Sequence, residues 1–183
     1  MKWLLFLPQL PASPSTLRVM VWRRMRTAGA LGIQNGVWLL PQKPEQIELL
    51  EELSVYLQEH EASSYIFEVN ALNQSIEDEI IEQLRGERDE EYSEFCERGD
   101  ALLAELERES KQEKFTFAEL EETEEDLRKL SKWLKKINAR DFFGGHKQDE
   151  ASENLERCEN AHQVFADKVY EHQGINPSNK PDE

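Results

Sequence analysis

The sequence predicts an α+β protein, a small ferredoxin-like (split βαβ) sheet followed by a bundle of long acidic helices. Three observations lead there. Through Leu72, short apolar or β-rich runs alternate with two helical stretches in the order β-α-β-α-β, with connections of the length a split βαβ unit uses. After Leu72, Glu and Lys dominate, β-branched residues thin out, and apolar residues recur at helical spacing in three long stretches. Charge divides in the same place. Residues 1–44 carry six Lys or Arg and no Asp or Glu, whereas the remaining 16 basic and 38 acidic residues give −22, so the total of −16 conceals a basic start.

"KWLLFLP", residues 2–8, is a continuous apolar run closed by proline, as in a strand buried on both faces. "PASPST" turns the chain, and Ser15 or Thr16 can cap a helix to about Ala28, which Gly29 and Gly32 stop. "GIQNGVWLLP", residues 32–41, is β-rich. Its Asn35-Gly36 pair makes either a bulge within one strand or a very tight hairpin. Pro44 suits a helix's first turn, and Ile47, Leu50, Leu53 and Leu57 mark one side of a second helix to about Glu61. "SSYIFEVNAL", residues 63–72, places Tyr65, Phe67 and Val69 on one face of a third strand. The helices are expected to cover this sheet on one side.

The first long helix runs from about Ser75 to Gln112, with a bend expected at Gly99. The second opens on "FTFAEL", where Thr116 and Glu119 have capping-box spacing and Phe115 and Leu120 can form the staple. Its core side is Leu120, Leu127, Leu130, Leu134 and Ile137, and "RDFFGG", residues 140–145, is the break after it. The last helix, about Lys147 to His172, sets Ala151, Leu155, Cys158, His162, Phe165 and Val169 along one packing seam. The expected organisation is therefore 1–73 as the sheet part, 74–173 as a helical bundle packed on it, and 174–183 as a disordered tail.

Composition excludes several classes. With 38% hydrophobic residues and a mean hydropathy of −0.74, the chain reads as soluble and charge-rich. The N-terminal run is too short, and too soon broken by Pro8, for a signal peptide. No stretch is long enough to span a membrane, so a cytoplasmic protein is expected. Cys96 and Cys158 lack the paired spacing of a zinc ribbon or disulfide scaffold and read as reduced thiols. Cys158 and His162 share a helix face, but two ligands do not make a metal site. There is no phosphate-binding loop, Rossmann glycine pattern, nucleophile elbow or HExxH, so neither an enzyme nor a cofactor is expected.

The candidate site lies in "RVMVWRRMR", residues 18–26. At about 100° per residue, Leu17, Met20, Val21, Met25 and Ala28 form the apolar side of the helix. Arg18, Trp22 and Arg26 then follow at i, i+4 and i+8 as a basic-aromatic stripe, with Arg23 on the far flank. These four are the candidate DNA- or anion-binding residues. Arg24 projects into the apolar face, where a guanidinium that cannot lose its charge needs a carboxylate or another anion. It is expected either to pair with a glutamate of the acidic helices or to hold an oxyanion.

The stretch "WLLFLPQLPASPSTLRVMVWRRMRTAGALGIQNGVWLLP" resembles the opening of the N-terminal domain of the ChrB chromate resistance family. The likeness continues through "RGERDEEYSEF" with Arg88, Glu91 and Tyr92, the helix from Phe117 to Trp133, "RDFF" at 140–143 and "LERCENAHQVFADKVY" at 155–170. The early strands and basic helix also look like the small domain of PaaX-type repressors. The resemblance implies a bacterial cytoplasmic protein linked to chromate resistance, acting as a DNA-associated or oxyanion-responsive transcriptional regulator module. Longer ChrB proteins carry a second, C-terminal domain that this sequence does not include. The expected partners are DNA, chromate or another oxyanion, and a second copy of the chain. The competing expectation is a non-enzymatic interaction or dimerisation module whose arginines are structural.

Overall fold

The computed structural model describes residues 1–13 and 15–174; most of the stretch expected to be a disordered tail, from residue 175 onward, lies outside the described residues. The elements follow as β1 (Lys2–Gln9), α1 (Thr16–Thr27), β2 (Leu31–Gln34), β3 (Val37–Pro41), α2 (Pro44–Glu59), β4 (Ser63–Asn70), α3 (Gln74–Lys111), α4 (Phe117–Arg140) and α5 (Gln148–His172). The strands form one sheet in the order β2-β3-β1-β4, with every neighbouring pair antiparallel. With α1 and α2 as the crossovers, this is the α+β, split βαβ arrangement that the sequence predicts.

Asn35-Gly36 makes a hairpin between two strands. Gly36 takes the positive φ of 78° that such a turn needs, and β2 also carries a register irregularity between Gly32 and Gln34. The hairpin reading of Asn35-Gly36 therefore holds, and the irregularity lies before that pair and not at it. α1 ends on a Schellman motif: Gly29 sits at φ 75°, the Gly29 N–H donates to the Arg26 carbonyl, and the Ala30 N–H donates to the Met25 carbonyl at 2.9 Å. Arg24 and Arg26 in that last turn suit the negative end of the helix dipole.

By its internal contacts the chain divides into two compact units, Met1–Glu87 with Arg140–Gly144, and Arg88–Ala139 with Gly145 onward. In the first unit one face of the sheet is covered and the other partly so, with Tyr65 and Phe67 of β4 left half exposed. Leu4, Phe6, Trp38 and Leu40 pack on Val21 and Met25 of α1 and on Leu50, Leu53 and Leu57 of α2. On the opposite face Trp3, Leu31 and Leu39 meet Leu84, Ile80 and Ile81 from the start of α3. The expectation of helices on one side only is corrected by this second layer. The segment 140–144 belongs to the same unit: Phe142 enters the first core and Phe143 the second, with its ring 5.9 Å from that of Trp3. Arg85 holds it by donating to the Phe143 carbonyl through Nε and Nη2, at 3.4 and 3.2 Å.

The second unit is helical. Tyr92, Phe95, Leu102 and Leu106 of α3, Leu120, Leu130, Leu134 and Ile137 of α4, and Ala151, Cys158, Phe165 and Val169 of α5 share one core. At the α4 start the Glu119 N–H donates to Thr116 Oγ1 and both Phe115 and Leu120 join the core, but the Thr116 N–H donates to the Lys114 carbonyl, so half of the predicted capping box is made. α3 passes through Gly99 without ending. The reason for that glycine is proximity: a Cβ there would fall 1.8 Å from Asn154 Oδ1 and 3.4 Å from Cys158 Sγ.

Burial pushes the Cys158 thiol up to about 11 and raises that of Cys96 as well. The nucleophilic thiolate is therefore scarce at both. At about pH 8 an aromatic disulfide reagent should label both thiols slowly in the native chain, with half-buried Cys96 reacting before buried Cys158. Labelling of Cys158 at the rate of a free thiol would contradict this placement.

Candidate functional site

Helix α1 presents its arginines on a short, well-anchored element. Val21 and Met25 are fully buried and fix the helix on the sheet, with Leu17 and Met20 packed beside them. Arg18, Trp22, Arg23 and Arg24 are all exposed, and Arg26 is half-buried. Of the predicted stripe, Arg18 and Trp22 are open to solvent, with Trp22 54% exposed, whereas Arg26 is only half open.

Two assignments change places. Arg24 does not face the core. The buried line of α1 runs through Val21 and Met25, which turns the helix enough to bring Arg24 to the rim, where its long side chain reaches water. The ion-paired residue is Arg26, whose Nη1 donates to Glu87 Oε2 at 2.7 Å at a half-exposed position. Among the described residues, no acidic group lies within ion-pairing distance of Arg18, Arg23 or Arg24. A half-exposed ion pair contributes about 1 kcal/mol at most. Glu87→Gln should accordingly lower the melting temperature slightly, whereas Arg23→Ala and Arg24→Ala should leave it where it is. A clear loss of stability from either arginine would return it to a structural role.

The fold adds residues that the helical projection could not supply. Between α1 and the β2–β3 turn lies a cleft of about 700 Å³ lined by Ser15, Arg18, Trp22, Asn35, Gly36 and Trp38, together with apolar groups and no acidic residue. Trp38 forms its floor at 9% exposure, backed by Gly32, whose added Cβ would sit 3.5 Å from the indole ring. At the N-terminal turn of α1, Ser15 makes no side-chain cap and no acidic residue is present, so the first-turn N–H groups keep their partial positive charge. The signal in the sequence was "QNGVW", a turn followed by a tryptophan. Its proximity to Arg18 is a tertiary fact.

Other singled-out residues serve packing. Arg88 is buried and lies 3.3 Å from Glu91, while Tyr92 is buried and donates its hydroxyl to Asn138 Oδ1 at 2.9 Å. Asp89 accepts from the Lys147 N–H at 3.0 Å, and a Cβ on Gly145 would crowd both Asp89 and the Tyr92 ring. Among the described residues no group of three His, Cys, Asp or Glu side chains is placed to hold a metal ion, and no helix is long and apolar enough to cross a membrane.

A family model described as "Protein ChrB, N-terminal" matches residues 18–175. Protein ChrB of Cupriavidus metallidurans is 30% identical over 93 residues, which cover 51% of this chain and 28% of that protein. The chain thus aligns with little more than a quarter of its curated relative.

Proposed function

The chain belongs to the ChrB N-terminal family, which is linked to chromate resistance, and from that premise we propose that it is a DNA-associating module of a chromate-responsive regulator. Arg18, Arg23 and Arg24 contact backbone phosphates, and Arg26 holds the helix that carries them. The observation that supports this reading is the set of exposed arginines on α1, free of acidic partners among the described residues, within a 44-residue stretch that has no Asp or Glu. A chain carrying −16 overall repels a polyanion everywhere else. Leaving several guanidinium groups open on one short helix makes sense for a partner that is itself an anion.

The test is binding of the full chain to duplex DNA from its own promoter region across a salt series. Phosphate contacts release counterions, so affinity should fall steeply and linearly on logarithmic axes, with a slope of about −0.9 per phosphate neutralised. Absent or salt-insensitive binding overturns the proposal. Chromate is tested against sulfate in the same assay, because both are tetrahedral dianions that an arginine cluster can hold. An effect of chromate that sulfate reproduces at equal concentration is ionic competition, and one that sulfate lacks supports chromate responsiveness.

A further inference from the structure

We propose that the cleft between α1 and the β2–β3 turn seats an unpaired nucleobase, so that the nucleic acid this unit prefers is single-stranded or locally opened. The inference rests on the DNA-associating reading above and specifies what its site recognises.

Three features of the cleft support it. First, Trp22 is 54% exposed at the rim and stacks on no other aromatic ring among the described residues. An indole left in water is costly unless something covers it, and a nucleobase supplies a flat π face of matching size. Second, the cleft's volume of about 700 Å³ falls within the roughly 300–1,000 Å³ of small-ligand sites. Its floor is Trp38, and Asn35 at the edge offers both a donor and an acceptor to a base edge. Third, its charge is one-signed: Arg18 and the uncapped first turn of α1 lie at the cleft, and no carboxylate lines it.

Charge complementarity selects the occupant. An apolar peptide would cover Trp22 but leave Arg18 unanswered, whereas a nucleotide satisfies both, with its base on the indole and its phosphate on the guanidinium and helix N–H groups. Base pairing decides the form. In a duplex the bases present only their edges in the grooves, while a tryptophan platform needs a face, which an unpaired base alone provides. The turn leaves the mouth open, since a Cβ on Gly36 would meet nothing within 4 Å.

The experiment compares a fluorescein-labelled oligo-dT of about 12 nucleotides with a mixed-sequence duplex of equal length, using the full chain and its Trp22→Ala and Trp22→Phe variants. Trp22 is exposed, and unchanged circular dichroism and melting of the variants show that the fold is intact. The expected result is tighter binding of oligo-dT than of duplex by the full chain, a loss of about tenfold or more for oligo-dT in Trp22→Ala, and partial recovery in Trp22→Phe. The loss in Trp22→Ala should be several-fold larger for oligo-dT than for duplex. Equal binding of oligo-dT by the full chain and Trp22→Ala, or a preference of the full chain for duplex, overturns this inference while leaving the DNA-associating reading in place. Failure of both probes overturns both.

Discussion

Replacing Gly29 with alanine should destabilise the protein by about 3 kcal/mol, the largest effect expected of any single methyl group in the first unit. Two costs coincide there. Gly29 sits at φ 75°, which a residue with a Cβ adopts only at a penalty of about 1 kcal/mol. The new Cβ would also lie 2.7 Å from the Arg140 carbonyl oxygen, 2.8 Å from Arg140 Cβ and 3.2 Å from the Phe142 ring. Two of these neighbours belong to or lie next to the backbone of the segment whose phenylalanines enter both sheet cores, so relief requires moving Phe142 and Phe143 together. Gly36 is the control. It has nearly the same φ, 78°, but a Cβ there meets nothing within 4 Å, so Gly36→Ala should show the conformational penalty alone. Urea unfolding of both variants measures the difference. Equal losses would mean that the approach of residues 140–142 to Gly29 carries no energetic weight.

That segment also marks where the sequence stopped being legible. "RDFFGG" reads correctly as the end of α4, because glycines terminate helices locally. Nothing local says that Phe142 and Phe143 belong with strands a hundred residues earlier. The elements themselves were legible wherever their cause is local: Pro44 at the first turn of α2, the Thr116 cap of α4, and the seam of α5 through Cys158, Phe165 and Val169. The two-sided sheet was half legible. The unbroken apolar run Trp3-Leu4-Leu5-Phe6-Leu7 already implied cover on both faces, and only the identity of the second layer, the start of α3, required the fold.

Arg24 shows the limit of a helical projection. The projection weights every apolar residue equally and so centres the buried face between Met20 and Ala28. Packing is unequal: Val21 and Met25 are fully buried while Met20 and Ala28 are only partly so. The true centre is rotated towards that pair, which moves Arg24 to the rim and leaves Arg26 close enough to Glu87 to pair. Arg18 and Trp22 stay exposed although the rotation brings them closer to the buried pair, because they line the open cleft against the β2–β3 turn. That cleft was not legible, since it is made by residues some 15 positions apart on a helix and a turn.

Arg24 thus takes the place of Arg26 in the expected exposed cationic set of Arg18, Arg23 and Arg26, which sets up the second large effect. The triple replacement of Arg18, Arg23 and Arg24 by alanine should fold normally and bind duplex DNA about 100-fold more weakly at low salt, with the logarithmic salt slope reduced by about 3. The corresponding triple replacement by lysine separates two kinds of contact. A phosphate asks only for a cation, so lysines should restore both affinity and slope. A guanine edge read bidentately asks for the planar fork, and lysines would then restore the slope but not the discrimination between sequences. The acidic remainder of the chain makes the slope a fair measure of the arginines. Added salt screens its repulsion of DNA and so strengthens binding, opposite in sign to the loss of phosphate contacts. A steep negative slope in a protein of charge −16 must therefore come from a local cationic surface. If the alanine triple binds as the parent chain does, that surface is not α1, and the proposed role for these arginines fails.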